Sequence, residues 1–229
     1  MDLTASTWRE VEATGASSVL AIPIGSLEQH GPHLPLDTDT RIARAVTAGM
    51  GARCPHIAVA PPVAYGASGE HAGFPGTLLL GHEVLADLLV ELVRSARGSF
   101  AGVVLVNAHG GNEEALKAVA ARCAGEGDDV LVWRATVRGG DAHAGRTETS
   151  LLLAIDPGVV RLELAEPGRT EPLETLLPSL RTQGVRPVSS NGVLGDPTGA
   201  SVDEGRVLLD GLVLDLTTAV EARWPRGLS

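Results

Sequence analysis

Residues 18–40 read SVLAIPIGSLEQHGPHLPLDTDT, and the fold turns on how this stretch is organised. Positions 18–24 form an unbroken apolar run rich in strand-forming residues and closed by Gly25. Such a run suits a central parallel strand buried on both faces, because a half-exposed strand would alternate apolar with polar residues. Glu28 and His30 follow at once, and Asp39 stands where a helical pattern begins. A strand that ends in acids and imidazoles and leads into a helix is how open α/β sheets present their ligand-binding edge.

The same alternation continues along the chain. Strands are predicted at 57–60, 102–107 and 130–133, the second, GVVLVN, again of the fully buried type. Helices are predicted at 39–52, 81–97, 112–125, 147–155, 173–181 and 201–223. In the first, Ile42, Ala45, Val46 and Gly49 recur at helical spacing, with the Asp-Thr start as its cap. In the second, Val84, Leu85, Leu88, Leu89, Leu92 and Val93 are expected on the buried side. Alternating elements imply an α/β fold, a three-layer αβα sandwich around a mainly parallel sheet.

With 229 residues, 44% of them hydrophobic, the chain is expected to bury its core as one domain spanning 1–229. The formal net charge of -10 argues against nucleic acid, whose phosphates an acidic surface repels. No apolar run approaches bilayer length and no secretory leader pattern opens the sequence, so a cytoplasmic protein without a membrane partner is expected. Cys54 and Cys123 are too far apart and too few for a disulfide scaffold or a thiolate metal site. Gly and Pro gather at 61–76, 107–112, 139–145 and 191–199, which marks loops of special backbone geometry. The glycine-rich loops at 66–76 and 191–201 are expected to wall a substrate cleft.

The chemistry lies in three segments: the EQHGPHLPLDTDT run, VNAHGGN (106–112) and GDAHAGRTETS (140–150). Glu28 and His30, two residues apart, leave the same face of extended backbone, and Asp39 can return to them. Singly, a Glu near a His is an ordinary hydrogen-bonded pair, and a His at a strand end can simply cap it. Jointly, carboxylates and imidazoles at successive strand ends form a donor set suited to zinc, iron or manganese. Asn107 is expected to orient His109, and His33, Glu70 and His71 are weaker candidates, His33 and Glu70 as loop residues that hold ligands in place.

These segments resemble the signature of the creatininase family of metal-dependent amidohydrolases. The likeness extends to YGASGEHAGFPGT (65–77) and NGVLGDPTGAS (191–201). The last two, with the GRTETSLLL run, are most similar to the mycofactocin branch, peptidases that trim a modified precursor peptide. The resemblance implies that Glu28, His30, Asp39 and His109 bind two divalent ions, with Asp39 bridging, and that members assemble as homo-oligomers, often hexamers. Gly111 departs from creatininase, which has a ligand Glu there, so Glu148 is expected to supply that carboxylate. Glu28, Asp39 and Glu148 then offset three of the four positive charges and a bound hydroxide the last. His143 and Glu148 are the expected catalytic residues, His143 as an oxyanion donor or the acid that protonates the leaving amine.

The leading expectation is therefore hydrolysis of an amide C–N bond. By resemblance the substrate is the modified precursor peptide, which would release its C-terminal dipeptide derived from valine and tyrosine. The rival within the same chemistry is a small cyclic amide or formamide. A non-catalytic anion-binding α/β module is the rival from another class, but no GxxxxGK[ST] or GxGxxG loop follows the first strand.

Overall fold

The strands β1 (Val19–Ile24), β2 (Ile57–Val59), β3 (Gly102–Asn107) and β4 (Val130–Arg134) form one parallel sheet in the order β2-β1-β3-β4. They belong to a computed structural model that describes residues 1–225. β1 and β3 pair along their full length, from Val19 opposite Gly102 to Ile24 opposite Asn107. Every residue of both is buried, which is why they read as unbroken apolar runs.

Alternate side chains of these strands divide the core in two. Val19, Ala21, Val104 and Val106 pack with Ile42, Val46 and Met50 of α2 (Thr38–Arg53), Leu151 and Leu152 of α5 (Arg146–Ile155), and Leu212 and Leu216 of α8 (Val202–Arg223). Leu20, Ile22, Val103 and Leu105 meet Leu85, Leu89 and Val93 of α3 (His82–Ala96) and Leu116 and Val119 of α4 (Glu113–Glu126) on the other face. The expected three-layer sandwich is the architecture observed. From β1 the chain moves outward to β2, then returns to the opposite side of β1 as β3. The strand order therefore reverses between β1 and β3, the place where such sheets open a ligand crevice.

Two details of the helices differ from expectation. α2 begins at Thr38, so Asp39 and Thr40 lie inside its first turn and do not cap it: Asp39 faces His30 and His109, and Thr40 donates to the Ser26 carbonyl. The apolar arc of α3 is wider than its cover: Leu85, Leu89 and Val93 are buried, whereas Val84, Leu88 and Leu92 are exposed. One neighbouring helix and the sheet cover only about one side of a helix, so the i, i+4, i+8 stripe is left outside.

Two short helices stand outside the expected set. α1 (Trp8–Thr14) is held by a reciprocal cap between Thr7 and Glu10, a T-x-x-E signal present in the sequence. α7 (Val185–Val188) follows α6 (Leu173–Gln183), and the two share a small cluster of Leu176, Leu180, Val185 and Leu194. Cys54 and Cys123 are both buried thiols. No helix of the described residues is long and apolar enough to cross a membrane.

Candidate active site

Each of the four strands ends in a segment that reaches the same cavity. The loop after β1 carries Glu28, Gln29 and His30, and Asp39 lies in the first turn of α2. This loop is not a strand extension. Single bridges of Leu27 to Leu78 and His30 to Leu34 shape it instead, and both Glu28 and His30 are fully buried. Gly25 permits the tight return, because a Cβ there would collide with the Thr40 backbone nitrogen. His109 follows β3, its main chain gripped by Asn107, whose Nδ2 donates to the His109 carbonyl at 2.7 Å. His143 follows β4, and Glu148 sits in the first turn of α5. The segment after β2 adds a 3-10 turn, Gly69–His71, with Glu70 and His71.

Asp39 stands at the centre. Its Oδ1 is 3.1 Å from His30 Nε2, and its Oδ2 is 3.1 Å from His109 Nδ1. The outer nitrogen of each imidazole faces a main-chain carbonyl, His30 Nδ1 toward Glu28 O at 3.2 Å and His109 Nε2 toward Ala67 O at 3.3 Å, the latter nitrogen lying also 3.2 Å from Glu28 Oε2 and 3.3 Å from the Ser68 hydroxyl. A carbonyl only accepts, so those outer nitrogens carry the N–H and the inner ones face Asp39 with a lone pair. An imidazole lone pair and a carboxylate oxygen meet at such a distance only with a cation between them. In the protein alone that cation is a proton. Burial pushes both imidazoles down, but the carboxylates outweigh it, Asp39 foremost for His30 and Glu28 for His109, and hold each at about 10. Asp39, despite its burial, is held well below the usual carboxylate range by His30 and His109.

A divalent ion meets the same requirement. Donors each about 2.1 Å from one ion lie roughly 3 to 3.5 Å apart, the spacing seen on both sides of Asp39. Glu28, Asp39 and His109 bring ligand atoms within 4.8 Å of one another, and so do His30, His143 and Glu148. Both oxygens of the fully buried Glu28 lie beside imidazole nitrogens, Oε1 3.3 Å from His71 Nε2 and Oε2 3.2 Å from His109 Nε2, but neither contact among the described residues has the alignment of a full hydrogen bond. Burial pushes its carboxyl up to about 7, against the pull of His109. A buried, unsatisfied carboxylate is costly unless a cation joins it, and the donor set fits divalent metal.

Glu148 reaches the cluster from α5, 3.9 Å from His30 Nε2, and burial raises it to about 7. It accepts the Ala144 backbone N–H at 2.6 Å. Ala144 holds a left-handed conformation, φ 50, the one non-glycine residue with positive φ among those described, as strained backbone at functional sites often is. At Gly111 no side chain fits: a Cβ would overlap the Ala67 carbonyl and His109 Nε2 and lie 2.5 Å from Glu70 Oε1. Glu70 thus fills the space beside His109 that a residue at 111 would use.

His143 Nε2 donates to the Gln29 carbonyl at 2.8 Å, which leaves Nδ1 facing the cavity, 3.7 Å from Glu28 Oε1. Burial, with His30 and His71 nearby, holds its pKa well below the usual value. His71 sits deeper in the cluster than expected, with Nε2 3.3 Å from Glu28 Oε1 and a pKa lowered by burial to about 3. His33 lies apart, its Nε2 2.9 Å from the Thr149 hydroxyl, beside Glu148 on α5. Burial lowers it to about 4.

The cluster forms the floor of a cleft of about 1040 Å³. The 66–76 loop lines it as expected, through Gly69 to Gly73, but of the 191–201 loop only Leu194 does. The main far wall is α6 and α7, with Leu173, Leu177 and Leu180, a role their sequence did not signal.

Comparison with known proteins agrees with this geometry. The family model described as creatininase, creatinine amidohydrolase, matches residues 4–220. A mycofactocin precursor peptide peptidase from Mycobacterium ulcerans (strain Agy99) is 48% identical, covering 99% of this chain and 92% of its own. A creatinine amidohydrolase from Pseudomonas putida is 30% identical over 96% of this chain and 95% of its own. The solved structure titled "Creatininase Mn" superposes with a TM-score of 0.80 at 26% identity, over 98% of each chain. Matches of this extent define the class first: a hydrolase acting on amide C–N bonds, of a metal-dependent kind. The chain belongs to the creatininase family.

Proposed function

We propose that the protein is a peptidase of the mycofactocin system that binds two divalent ions and releases the C-terminal, valine- and tyrosine-derived dipeptide from a modified precursor peptide. The name of the 48% identical relative supports the substrate, and Gly111 in place of a carboxylate weighs against creatinine. Glu28, His30, Asp39, His109 and Glu148 are the proposed ligands, with Asp39 bridging. The observation that carries this reading is that each oxygen of Asp39 faces a different imidazole whose outer nitrogen is tied to the main chain. Zinc, iron and manganese all suit such a set.

Divalent ions held by these residues would polarise the scissile carbonyl and lower the pKa of water from about 15.7 towards about 7. The side chains do the rest. His143, tied through Nε2–H to the Gln29 carbonyl, offers Nδ1 to the cavity as an acceptor, which suits the expected acid that protonates the leaving amine better than an oxyanion donor. It therefore takes the proton of the attacking water at Nδ1 and returns it to the leaving nitrogen. The Gln29 carbonyl stabilises the imidazolium during that interval. The apolar wall of Leu173, Leu177 and Leu180 excludes solvent from one side and receives an apolar group of the peptide.

The exposed Val84, Leu88 and Leu92 stripe supports a homo-oligomer, hexameric by family resemblance, and the composition supports a cytoplasmic site of action. Metal analysis of the purified protein, followed by incubation with modified precursor peptide, creatinine and a formamide and mass spectrometry of the products, tests the reading. Release of the dipeptide by a protein containing about two ions per chain is the expected result. Turnover of only the small amides, or a chain free of metal, would overturn it.

A further inference from the structure

Of the four histidines in the cluster, three point an N–H outward to a main-chain carbonyl: His30 to Glu28, His109 to Ala67 and His143 to Gln29. His71 is the exception, and the Gln29 side chain is the reason. The orientation of that amide is fixed by two main-chain contacts that cannot be exchanged. Its Oε1 accepts the Gly31 N–H at 2.9 Å, and its Nε2 donates to the Gly192 carbonyl at 3.1 Å. The second Nε2 hydrogen then goes to His71 Nδ1 at 2.9 Å. His143 Nε2, 3.1 Å from the same nitrogen, holds its own hydrogen for the Gln29 carbonyl and takes none.

His71 Nδ1 is thereby an acceptor, so its single proton sits on Nε2, the atom 3.3 Å from Glu28 Oε1. A nitrogen that carries hydrogen has no lone pair for a metal. His71, Glu28 and His143 lie close enough together to be mistaken for a third ion site, yet the His71 nitrogen that faces the others repels a cation. We propose that Gln29 locks His71 as an N–H donor facing Glu28, which makes His71 a positioning residue for that carboxylate and excludes it from ion binding. This rests on the proposed metal-dependent activity only for its kinetic consequence; the protonation pattern stands on the hydrogen bonds alone. Gln29 lies between Glu28 and His30 in sequence, so a single turn of loop delivers two ligands and the group that sorts their neighbours.

Long-range proton–nitrogen NMR of the full, zinc-loaded protein with labelled histidine reads the pattern directly. His71 is expected to show Nε2 protonated and Nδ1 bare, and Gln29→Met to weaken that preference. An unprotonated or metal-shifted Nε2 in the wild type would overturn the proposal, whether or not any variant folds. Kinetics gives the second measurement. His71→Gln keeps an N–H donor near the Nε2 position and is expected to retain its ions and turn over within about tenfold of wild type. His71→Ala should keep the ions and lose about 10- to 100-fold in kcat with little change in KM. Equal loss of one ion in both would make His71 a ligand and refute the idea. A protein that fails to cleave the precursor peptide while showing the expected NMR pattern would count against the substrate, not against the role of Gln29.

Discussion

Loading the site with metal should expel protons in a number that the geometry fixes. His30 and His109, each held at about 10 by the carboxylates around them, are both protonated in the metal-free chain at neutral pH. Glu28 and Glu148, each raised to about 7, share roughly one proton between them at pH 7 and almost none at pH 8.5. An ion must displace all of these, since only the deprotonated groups ligate. Binding should therefore release about three protons at pH 7 and about two at pH 8.5, and ionisation of a coordinated water adds to either count. Titration calorimetry of the metal-free protein in buffers of different ionisation enthalpy measures the number. Release of fewer than one proton at pH 8.5 would mean that the His30–Asp39–His109 row is not where the ion sits, and the ligand assignment would fall with it.

Asp39→Asn should cost more than the roughly 10- to 100-fold in affinity that losing an outer partner costs, because it strips a charge shared by two imidazoles; a variant with full metal content after gel filtration would contradict the bridging role. His143→Ala should keep its ions, measured by plasma mass spectrometry, and lose about 10²- to 10⁴-fold in turnover; loss of metal instead would make His143 a ligand. The metal-free protein should melt at falling temperature as pH rises from 7 to 10. Its His30 and His109 bind protons more tightly folded than unfolded, so the stability they give is complete below pH 6.5 and is lost as the pH passes about 10. Glu28 and Glu148 act in the same direction up to pH 7, whereas the depressed His33, His71 and His143 oppose them only below 6.5. A flat or rising calorimetric profile between pH 7 and 10 would refute the coupling.

The sheet was legible because its central strands are buried on both faces, and GVVLVN admits few other readings. Glu28, His30, Asp39, His109, His143 and Glu148 were legible because acids and imidazoles gather only where each strand stops. What lay hidden depends on distance along the chain. The character of His71 is set by Gln29, 42 positions away, and no local pattern announces it. The helices α6 and α7 look like ordinary surface helices until packing places them opposite the cluster. Val84, Leu88 and Leu92 carry the same letters as their buried neighbours, and only the reach of α4 and the sheet separates them. The cap of α1 is different, for TWRE stands plainly in the sequence at 7–10.

The outer nitrogens of His30, His109 and His143 are each moored to a peptide oxygen, at Glu28, Ala67 and Gln29, even where, as at His109, the Ser68 hydroxyl and the Glu28 carboxylate lie near the same nitrogen. Peptide oxygens neither titrate nor rotate away, so the rings are aimed by the course of the polypeptide before any ion arrives. Depletion and reloading should then leave the imidazoles in their orientation. Exchanging one divalent metal for another should proceed as a swap of occupants within a standing frame, faster than any step that must rebuild the loops.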